Sequence, residues 1–562
     1  MKEKQAREKS KENQNHKKMK ASVKFTILAV ILIAIFCVAL TPVTLQNDTY
    51  YTIKVGEHIA QYGIDGQDPF SWHEGLGYTY PHWGYDLITY FIYHAFGFTG
   101  IYITTCILSV ILGLSIYLVN TKLAKNQIFS FLITIGVMYL IRGYIAARAQ
   151  LVTFILFILT IYLIEKFLEM KKKRYAVGLI IIPLVIANMH VAVFPFYFVL
   201  YLPYIAEYLI ALLAEIIIYR KAKMTLLKIK INRYEKMTGK EQQLEELKKK
   251  QKELEDKIDK VKIKRTKELQ NPYKIKLNKN PNVKWLILIM IICLFTGLLT
   301  PLGDTPYTYL SKTMQGNTTQ NINEHLPMTL SQETDVMCTL IIFLAVLIFT
   351  KSKIRLSDLF MIGGLCYLMI KSRRQVTMFA IVGSIILNRL MFQLMEIYTK
   401  KKEKEIIKKL SSIVGIIIIT IAMLWLSYHF GKNKLDDSYI DESAYPVQAA
   451  DFILENIDLG TTRFYNEYNY GSYLLFRGIP VFIDSRADLY APEFSGKEED
   501  IFSDFIDTSS IGKFYGDTFK KYDITHVITY KNSKMNMIMT KIKGQNYEEL
   551  YQDDYFVIYE IK

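Results

Sequence analysis

The stretch that decides the fold is FTILAVILIAIFCVALTPVTL, Phe25–Leu45, an unbroken apolar run that follows a lysine-rich N-terminal arm. About 20 apolar residues in a helix cross the ~30 Å hydrocarbon layer of a bilayer, so the run predicts a membrane-spanning helix. The run is too long for the apolar core of a signal peptide and lacks a small-residue cleavage site, so we expect an uncleaved first span.

Similar apolar runs recur along the chain and predict a polytopic α-helical membrane protein. A soluble domain of 562 residues would not repeat such runs, and we expect about eleven spans. After Phe25–Leu45, the runs are Ile101–Leu118, Ile128–Ile141, Leu151–Ile164, Ala176–Ile186, Val193–Ile218, Trp285–Leu299, Val336–Phe349, Leu359–Ile370, Met378–Met395 and Ile413–Tyr428. All five cysteines lie in apolar runs without a CxxC pair, so neither a disulfide framework nor a cysteine metal site is expected.

The net charge of +16 is explained by the excess of Lys and Arg in cytoplasmic loops of membrane proteins, so we expect no nucleic-acid partner. Counting spans between the Lys/Arg clusters places every cluster on one side, taken as cytoplasmic. The predicted organisation is a basic cytoplasmic arm (1–24), an N-terminal transmembrane region (25–220) with an outer loop (47–85), a cytoplasmic coiled-coil hairpin (221–280), a C-terminal transmembrane region (281–430) and an extracytoplasmic α/β domain (431–562).

The lysine-rich insert has the spacing of a coiled coil. Apolar or neutral residues recur at a and d positions with charges between them: Leu244, Leu247, Gln251, Leu254, Ile258 and Val261. Met237–Lys240 is the expected turn, with Leu227, Tyr234 and Met237 on the other arm. The main expectation is a solvated hairpin without chemistry. A coiled-coil partner at 221–280 or contact with anionic lipids are the alternatives.

The segment YNEYNYGSYLLFRGIPVFIDSRADLY, Tyr465–Tyr490, predicts a soluble α/β domain behind the last span. The expected elements are strands at Arg463–Tyr465, Val481–Ile483 and His526–Thr529, a helix from Gly471, a helix at Lys534–Lys543 and a final hairpin. Asp484, Arg486 and Asp488 follow the second strand, on the end where α/β sheets gather ligand groups. A structural ion-pair network and an acceptor-binding site are both open for these three residues.

Several motifs together carry a resemblance to the GT-C membrane glycosyltransferases, which use polyprenyl-phosphate-linked sugars. The chain has an acidic residue, Asp48, at the end of the first span, followed by a long outer loop. Further segments are similar to those of bacterial GT-C-like proteins: ARAQLVTFIL (Ala147–Leu156), ANMHVAVF (Ala187–Phe194), LLTPLGDTPYTYL (Leu298–Leu310), INEHLP (Ile322–Pro327), SRRQVTMFA (Ser372–Ala380) and Tyr465–Tyr490. The resemblance extends over most of the chain. Departures include His325 and Tyr470 for Trp, and Ser472 and Ser485 for Gly.

The resemblance implies sugar transfer from a polyprenyl-phosphate donor to a glycan, protein or lipid acceptor of the cell envelope, with Asp48 as the general base. Arg148, Arg373 and Arg374 are the cations best placed to hold the leaving phosphate, because guanidinium groups match phosphate oxygens. Other polar side chains expected on the outer face complete the substrate site: Asp68, His82, Gln150, Asn188, His190 and Glu324. A weak likeness of Tyr468–Tyr473 to the WWDYG motif of oligosaccharyltransferases adds Tyr470 and Gly471 as acceptor-domain candidates, beside Asp484, Arg486 and Asp488 after the predicted second strand.

Metal use and two other functional classes stay open from the sequence. Some GT-C enzymes hold a divalent metal with outer-loop acids, but the outer loops here contain no HExxH or DxD signature. A transporter or flippase of lipid-linked or anionic cargo is one alternative, and a non-catalytic envelope assembly protein is the other. The predicted charges cluster on one face and no internal repeat is evident, which favours the enzyme over the transporter.

Overall fold

The computed structural model describes residues 22–214, 217–235, 241–269, 274–329, 333–398, 409–410, 412–542 and 546–562, which are mostly helical. Among them, six helices are long and apolar enough to cross a membrane: Ser22–Leu40, Trp83–Ala124, Ala149–Met170, Val191–Leu213, Arg373–Tyr398 and Ile413–Lys434. Three shorter apolar helices accompany these: Gln127–Leu140, Val283–Leu298 and Thr334–Phe349. Every predicted apolar run overlaps a helix, so a multi-pass membrane protein is confirmed, whereas the number of spans stays a prediction.

The helices fall into three groups along the chain. Before the insert lie α1 (Ser22–Leu40), α2 (Asn47–Tyr62), α3 (Trp83–Ala124), α4 (Gln127–Leu140), α5 (Ala149–Met170), α6 (Lys173–Met189), α7 (Phe194–Val199) and α8 (Leu202–Ala214). The insert holds α9 (Ile217–Tyr234) and α10 (Glu241–Leu269). After it lie α11 (Val283–Leu294), α12 (Thr305–Gln315), α13 (Thr318–Asn321), α14 (Thr334–Phe349), α15 (Leu356–Lys371), α16 (Val376–Tyr398) and α17 (Ile413–Gly431).

The bundle of apolar helices has two chemically different ends. At the insert end, the segment that follows α10 satisfies carbonyl groups of helix ends: Asn282 Nδ2 donates to Leu168 O at 2.9 Å, and Lys274 Nζ donates to Leu347 O at 2.8 Å. Arg148 and the C-terminal domain lie at the opposite end of α5, which we call the site end. The described basic segments Lys171–Arg174 and Lys351–Arg355 therefore lie at the insert end, away from the domain. Which end faces the cytoplasm stays a prediction.

The insert consists of two helices whose contacts fit a hairpin. Leu244, Leu247, Gln251 and Leu254 are half-buried, while the residues between them are exposed. Lys248 Nζ lies 2.8 Å from Glu235 Oε1 on the other arm. The predicted turn at Met237–Lys240 and the side chains of Ile258 and Val261 lie outside the described residues. The coiled coil and its partner stay predictions.

The C-terminal region contains a four-stranded mixed sheet covered by short helices. Its strands are β3 (Phe464–Tyr465), β4 (His526–Tyr530), β5 (Tyr547–Gln552) and β6 (Phe556–Ile561), after the two-residue strands β1 (Ile275–Lys276) and β2 (Ile354–Arg355) at the insert end. The sheet order is β3-β4-β6-β5, with β3 parallel to β4 and the other pairs antiparallel. Its helices are α18 (Val447–Asn456), α19 (Tyr468–Phe476), α20 (Pro492–Ser495), α21 (Ile501–Ser510), α22 (Tyr515–Lys521) and α23 (Lys534–Ile542).

One predicted strand is wrong. Val481–Ile483 joins no sheet: Val481 makes a single parallel bridge with Ser71 of the outer loop. The amide of Phe482 donates to Asn466 Oδ1 at 2.8 Å, and Asn466 Nδ2 donates to Ile483 O at 2.7 Å. A side-chain amide and a distant loop thus satisfy the backbone of this apolar segment, in place of a neighbouring strand.

The outer loop is part of the hydrophobic core of the C-terminal domain. Tyr50, Tyr78 and Tyr80 are buried in the same cluster as the strands of the sheet. Trp72 Nε1 donates to Phe464 O at 2.9 Å, which anchors the loop directly on β3. The helix that begins with Asn47 and the sheet therefore form one packed unit above the membrane helices.

Candidate functional site

A cavity of about 1460 Å³ lies between the site end of the helix bundle and the C-terminal domain. Its walls come from the outer loop, the starts of α2 and α5, residues 309–327, the end of α15 and the domain. Eight predicted site residues line it: Asp48, His82, Arg148, His190, Glu324, Arg374, Arg486 and Asp488. The structure thus brings together most of the candidate residues from segments that lie far apart in the chain.

Asp48 is held at the cavity by the residues on either side of it. It lies in the first turn of α2, where a negative side chain complements the helix dipole. Asn47 Nδ2 donates to Tyr468 O of the C-terminal domain at 2.8 Å, and Thr49 Oγ1 donates to Ala147 O at 3.4 Å. The start of α2 is therefore fixed both to the domain and to the turn before α5, and the carboxylate is presented between them.

Arg148 connects two carboxylates of the cavity. Its Nη2 lies 2.6 Å from Asp48 Oδ2, and its Nη1 donates to Glu324 Oε1 at 2.8 Å. Burial raises the pKa of Glu324, but Arg148 and Arg374 outweigh this effect and hold that pKa below its ordinary value. Both terminal nitrogens of Arg148 are thus engaged by acids. Asp48 Oδ1 accepts no hydrogen bond from the described residues.

Arg374 is the second guanidinium of the cavity and pairs with no carboxylate of the described residues. Its Nη2 donates to Gln150 Oε1 at 3.4 Å, and its backbone amide donates to Glu324 O at 3.0 Å. The neighbouring Arg373 donates its amide to Leu326 O at 3.0 Å and does not line the cavity. The turn of Arg373 and Arg374 therefore positions the loop that carries Glu324 and leaves Arg374 as the cation most available to an anion.

Two histidines form a neutral part of the cavity wall. The rings of His82 and His190 lie 4.9 Å apart, and His190 Nδ1 is 2.8 Å from Thr153 Oγ1. Burial, Arg374 and Arg148 lower the pKa of His82 to about 3, and burial, His82 and Arg374 lower the pKa of His190. At neutral pH both rings are uncharged, so each can donate one hydrogen bond and accept another.

Asp68, Asp484 and Arg486 form a buried ionic cluster under the cavity. Arg486 Nη1 lies 2.7 Å from Asp68 Oδ1, and its Nη2 lies 2.6 Å from Asp484 Oδ2. Asp68 also accepts from the Ser71 amide at 3.0 Å, so it makes the predicted turn as well. Tyr490 Oη donates to Asp484 Oδ2 at 2.6 Å. The carboxylates of this cluster bind the outer loop to the domain.

Asp488 lines the cavity, and its carboxylate already accepts hydrogen bonds from side chains of α12 and α13. Tyr309 Oη donates to Asp488 Oδ2 at 2.8 Å, Thr318 Oγ1 donates to Oδ1 at 3.0 Å, and Thr313 Oγ1 lies 3.2 Å from Oδ2. These contacts hold α12 and α13 against the C-terminal domain. Tyr309 and Thr313 line the cavity together with Asp488.

Three further candidates lie away from the cavity lining. Tyr470 is buried and donates its hydroxyl to Ile528 O at 2.7 Å. Gly471 lies so close to Ile483 O that a Cβ atom would meet it at 2.0 Å. Asn188 Nδ2 donates to Leu184 O and Leu299 O, at 2.8 and 3.1 Å. In this structure all three support packing between segments.

Sequence reasoning missed several residues of the cavity, among them Tyr468 and Glu467. Tyr468 lines it and donates its hydroxyl to Ser485 O at 3.2 Å. Glu467 lines it as well, and burial raises the pKa of its carboxyl although Thr529 Oγ1 donates to it at 3.1 Å. Both belong to the segment that carried the family resemblance, and an acidic residue next to Tyr468 was the signal available.

A divalent metal fits the described residues poorly. No group of three or more His, Cys, Asp or Glu side chains in the described part of the chain is placed to hold an ion. Asp48 and Glu324, two acids of the cavity, both face the guanidinium of Arg148. Mg²⁺ and Ca²⁺ bind carboxylate oxygens directly, and here a guanidinium lies between the two carboxylates.

Comparison with known proteins identifies the fold. The sequence matches no protein-family model and no curated protein. Among solved structures, the apo oligosaccharyltransferase of Archaeoglobus fulgidus is 11% identical, with a TM-score of 0.50, over 91% of this chain and 69% of that one. The Archaeoglobus fulgidus oligosaccharyltransferase AglB in complex with an inhibitory peptide and a dolichol-phosphate is 13% identical, with a TM-score of 0.49, over 92% and 70%. The predicted GT-C-type fold is thus confirmed: this chain is built like an archaeal oligosaccharyltransferase.

Proposed function

We propose that the protein is a membrane glycosyltransferase that transfers a sugar from a polyprenyl-phosphate-linked donor to an acceptor of the cell envelope on the outer face. The observation that carries the proposal is the position of Asp48. Its carboxylate lies in a cavity bounded on one side by membrane helices and on the other by a soluble domain. A lipid-linked donor and a water-soluble acceptor can meet only at such a boundary.

Asp48 is the proposed general base. Its Oδ2 is paired with Arg148, whereas Oδ1 is not engaged by the described residues, so Oδ1 is the atom that receives the acceptor proton. The acceptor hydroxyl or amide has to lie within ~2.6–3.2 Å of that oxygen. As the proton leaves, the acceptor atom forms a bond to the anomeric carbon. The bond from that carbon to the phosphate oxygen breaks, and the phosphate departs with the electron pair.

Arg374 is the proposed anchor of the leaving phosphate. Arg148 already faces two carboxylates, so its charge is compensated, whereas Arg374 has an amide as its side-chain partner. Lys371 lines the same cavity at the end of α15 and adds a second positive charge. Guanidinium groups bind phosphate oxygens through paired hydrogen bonds, which suits a phosphate that gains charge as the sugar leaves.

Both ends of the cavity fit their proposed occupants. Phe196 and Tyr367 line it on the membrane side and supply apolar surface for the first units of a prenyl chain. Phe502, Phe505 and Ser509 line it on the domain side, where the acceptor would enter. The likeness of the fold to that of an archaeal oligosaccharyltransferase supports the proposal.

The variant Asp48→Asn tests the proposal, because it keeps the size of the side chain and removes its basicity. Envelope glycans and lipid-linked sugars are compared by mass spectrometry in a deletion strain complemented with the wild type or with the variant. We expect the glycan product to be lost and the lipid-linked sugar to accumulate. The matched control is Glu57→Gln on the same helix, whose carboxylate pairs with Lys54 at 2.6 Å. Full transfer by Asp48→Asn at normal expression would remove Asp48 as the base.

A further inference from the structure

Arg148 contacts both Asp48 and Glu324, two acids of the candidate site. Arg148 begins α5, Asp48 begins α2, and Glu324 lies on the loop after α13, yet the guanidinium contacts both carboxylates at 2.6 and 2.8 Å. We propose that Arg148 is the resident cation of this site, so that Asp48 and Glu324 are held together without a divalent metal ion. The inference deepens the proposed function and rests on it for the role of Asp48.

The geometry leaves no room for a shared ion while Arg148 is in place. A divalent ion would need carboxylate oxygens at about 2.0–2.6 Å from one common point. Here Asp48 Oδ2 and Glu324 Oε1 each face a different terminal nitrogen of one guanidinium, which occupies the space between them. An ion could bind both acids only after Arg148 had been displaced.

The charges of the site support the same assignment. Arg148 carries one positive charge, which an arginine in a protein does not lose, against one negative charge each on Asp48 and Glu324. Arg374 also interacts with Glu324 through space. Two arginines thus balance two acids. Removal of Arg148 leaves two partly buried carboxylates without the guanidinium that they share, so a cation from solution can take its place.

The proposal predicts that the variant Arg148→Ala creates a metal site that the wild type lacks. Protein purified in detergent is titrated with Mn²⁺, binding is followed by electron paramagnetic resonance, and the thermal midpoint is measured in parallel. We expect the wild type to show no saturable binding. Arg148→Ala should have a lower thermal midpoint than the wild type and should bind Mn²⁺ saturably. Bound Mn²⁺ should restore part of the lost thermal stability. The double variant Arg148→Ala/Asp48→Asn should lose that binding.

The matched control is Arg142→Ala, because Arg142 lies near the same end of the bundle and faces a single half-exposed acid, Asp335, at 3.8 Å. This variant should gain no Mn²⁺ binding. The proposal would be overturned if the wild type bound Mn²⁺ saturably and Asp48→Asn abolished that binding. This comparison does not depend on whether Arg148→Ala folds. A folded Arg148→Ala without Mn²⁺ binding would overturn it as well. Mn²⁺ binding is measured without substrate. If Asp48→Asn kept full sugar transfer, Asp48 would no longer be the proposed base, but the Mn²⁺ titration could still be interpreted.

Discussion

Replacing Arg486 with methionine tests whether the buried ionic cluster holds the C-terminal domain together. The side chain of Arg486 is 3% exposed, and those of Asp68 and Asp484 are 0% exposed. Methionine fills the volume of the aliphatic stem but carries no charge. The variant therefore leaves two carboxylates side by side, out of water and without the guanidinium that pairs them.

The expected cost is large for a domain of this size. Removing one partner of a buried ion pair destabilises a protein by ~3–5 kcal/mol, and typical domains have only ~5–15 kcal/mol of unfolding free energy. A loss of this size lowers the thermal midpoint by roughly 10 °C or more. Removing one of the orphaned charges should recover part of it, so the double variant Arg486→Met/Asp68→Asn should be more stable than Arg486→Met alone.

The assay is thermal unfolding of the purified protein in detergent, followed by tryptophan fluorescence, to which Trp72 contributes from the loop packed against β3. The control is Arg463→Met, whose partner Asp523 lies 3.3 Å away, with side-chain exposures of 43% and 82%. An exposed pair of this kind contributes about 0–1 kcal/mol. A midpoint for Arg486→Met within error of the control would refute the structural role of the cluster.

Three further predictions follow from the described geometry. Gly471→Ala should lower the unfolding free energy by ~1–3 kcal/mol, because the new Cβ would lie 2.0 Å from the main-chain oxygen of Ile483. Gly363→Ala is the control, since its Cβ would meet nothing within 4 Å, and it should cost less. Thermal midpoints of the two variants test the difference. Burial raises the pKa of Asp68, but the guanidinium of Arg486 outweighs this effect and lowers it. The Asp68 carboxylate therefore contributes fully to stability above about pH 4, and this contribution is lost as the pH falls further. Unfolding midpoints between about pH 2 and 6 should fall less steeply in Asp68→Asn; equal slopes would contradict this. Cysteines introduced at the exposed positions Glu498 and Lys249 should react with an impermeant reagent from opposite sides of the membrane, and labelling of both on intact cells would reject the predicted topology.

The membrane part of the fold could be predicted from the sequence because it depends on a local property. A run such as Phe25–Leu45 is apolar enough on its own to favour a helix in a bilayer, and the structure places a helix at Ser22–Leu40. The segment Val481–Ile483 shows the opposite case. Its apolar residues resemble a buried strand, but its partners are a side-chain amide and a loop about 400 residues away, which no local pattern reveals.

The candidate site was predictable in its residue types and not in its pairings. Asp48, Arg148 and Glu324 were expected on one face because each is a charged residue at the same end of a predicted span or loop. That a single guanidinium contacts both acids depends on the packing of three segments against one another. The same limit applies to Asp68: its turn could be read from Asp before Pro, but its buried partner Arg486 could not.

The anchoring of the outer loop in the C-terminal domain has a consequence for the order in which the protein is made. Trp72 and its hydrogen-bond acceptor Phe464 are 392 residues apart, and Asn47 and Tyr468, which fix the start of α2, are 421 apart. During synthesis from the N-terminus, the loop leaves the ribosome long before its partners exist. Asp48 can therefore reach its final position only after the last part of the chain has been translated. Unfinished chains would carry the catalytic candidate without the means to position it, so synthesis itself would keep incomplete copies inactive.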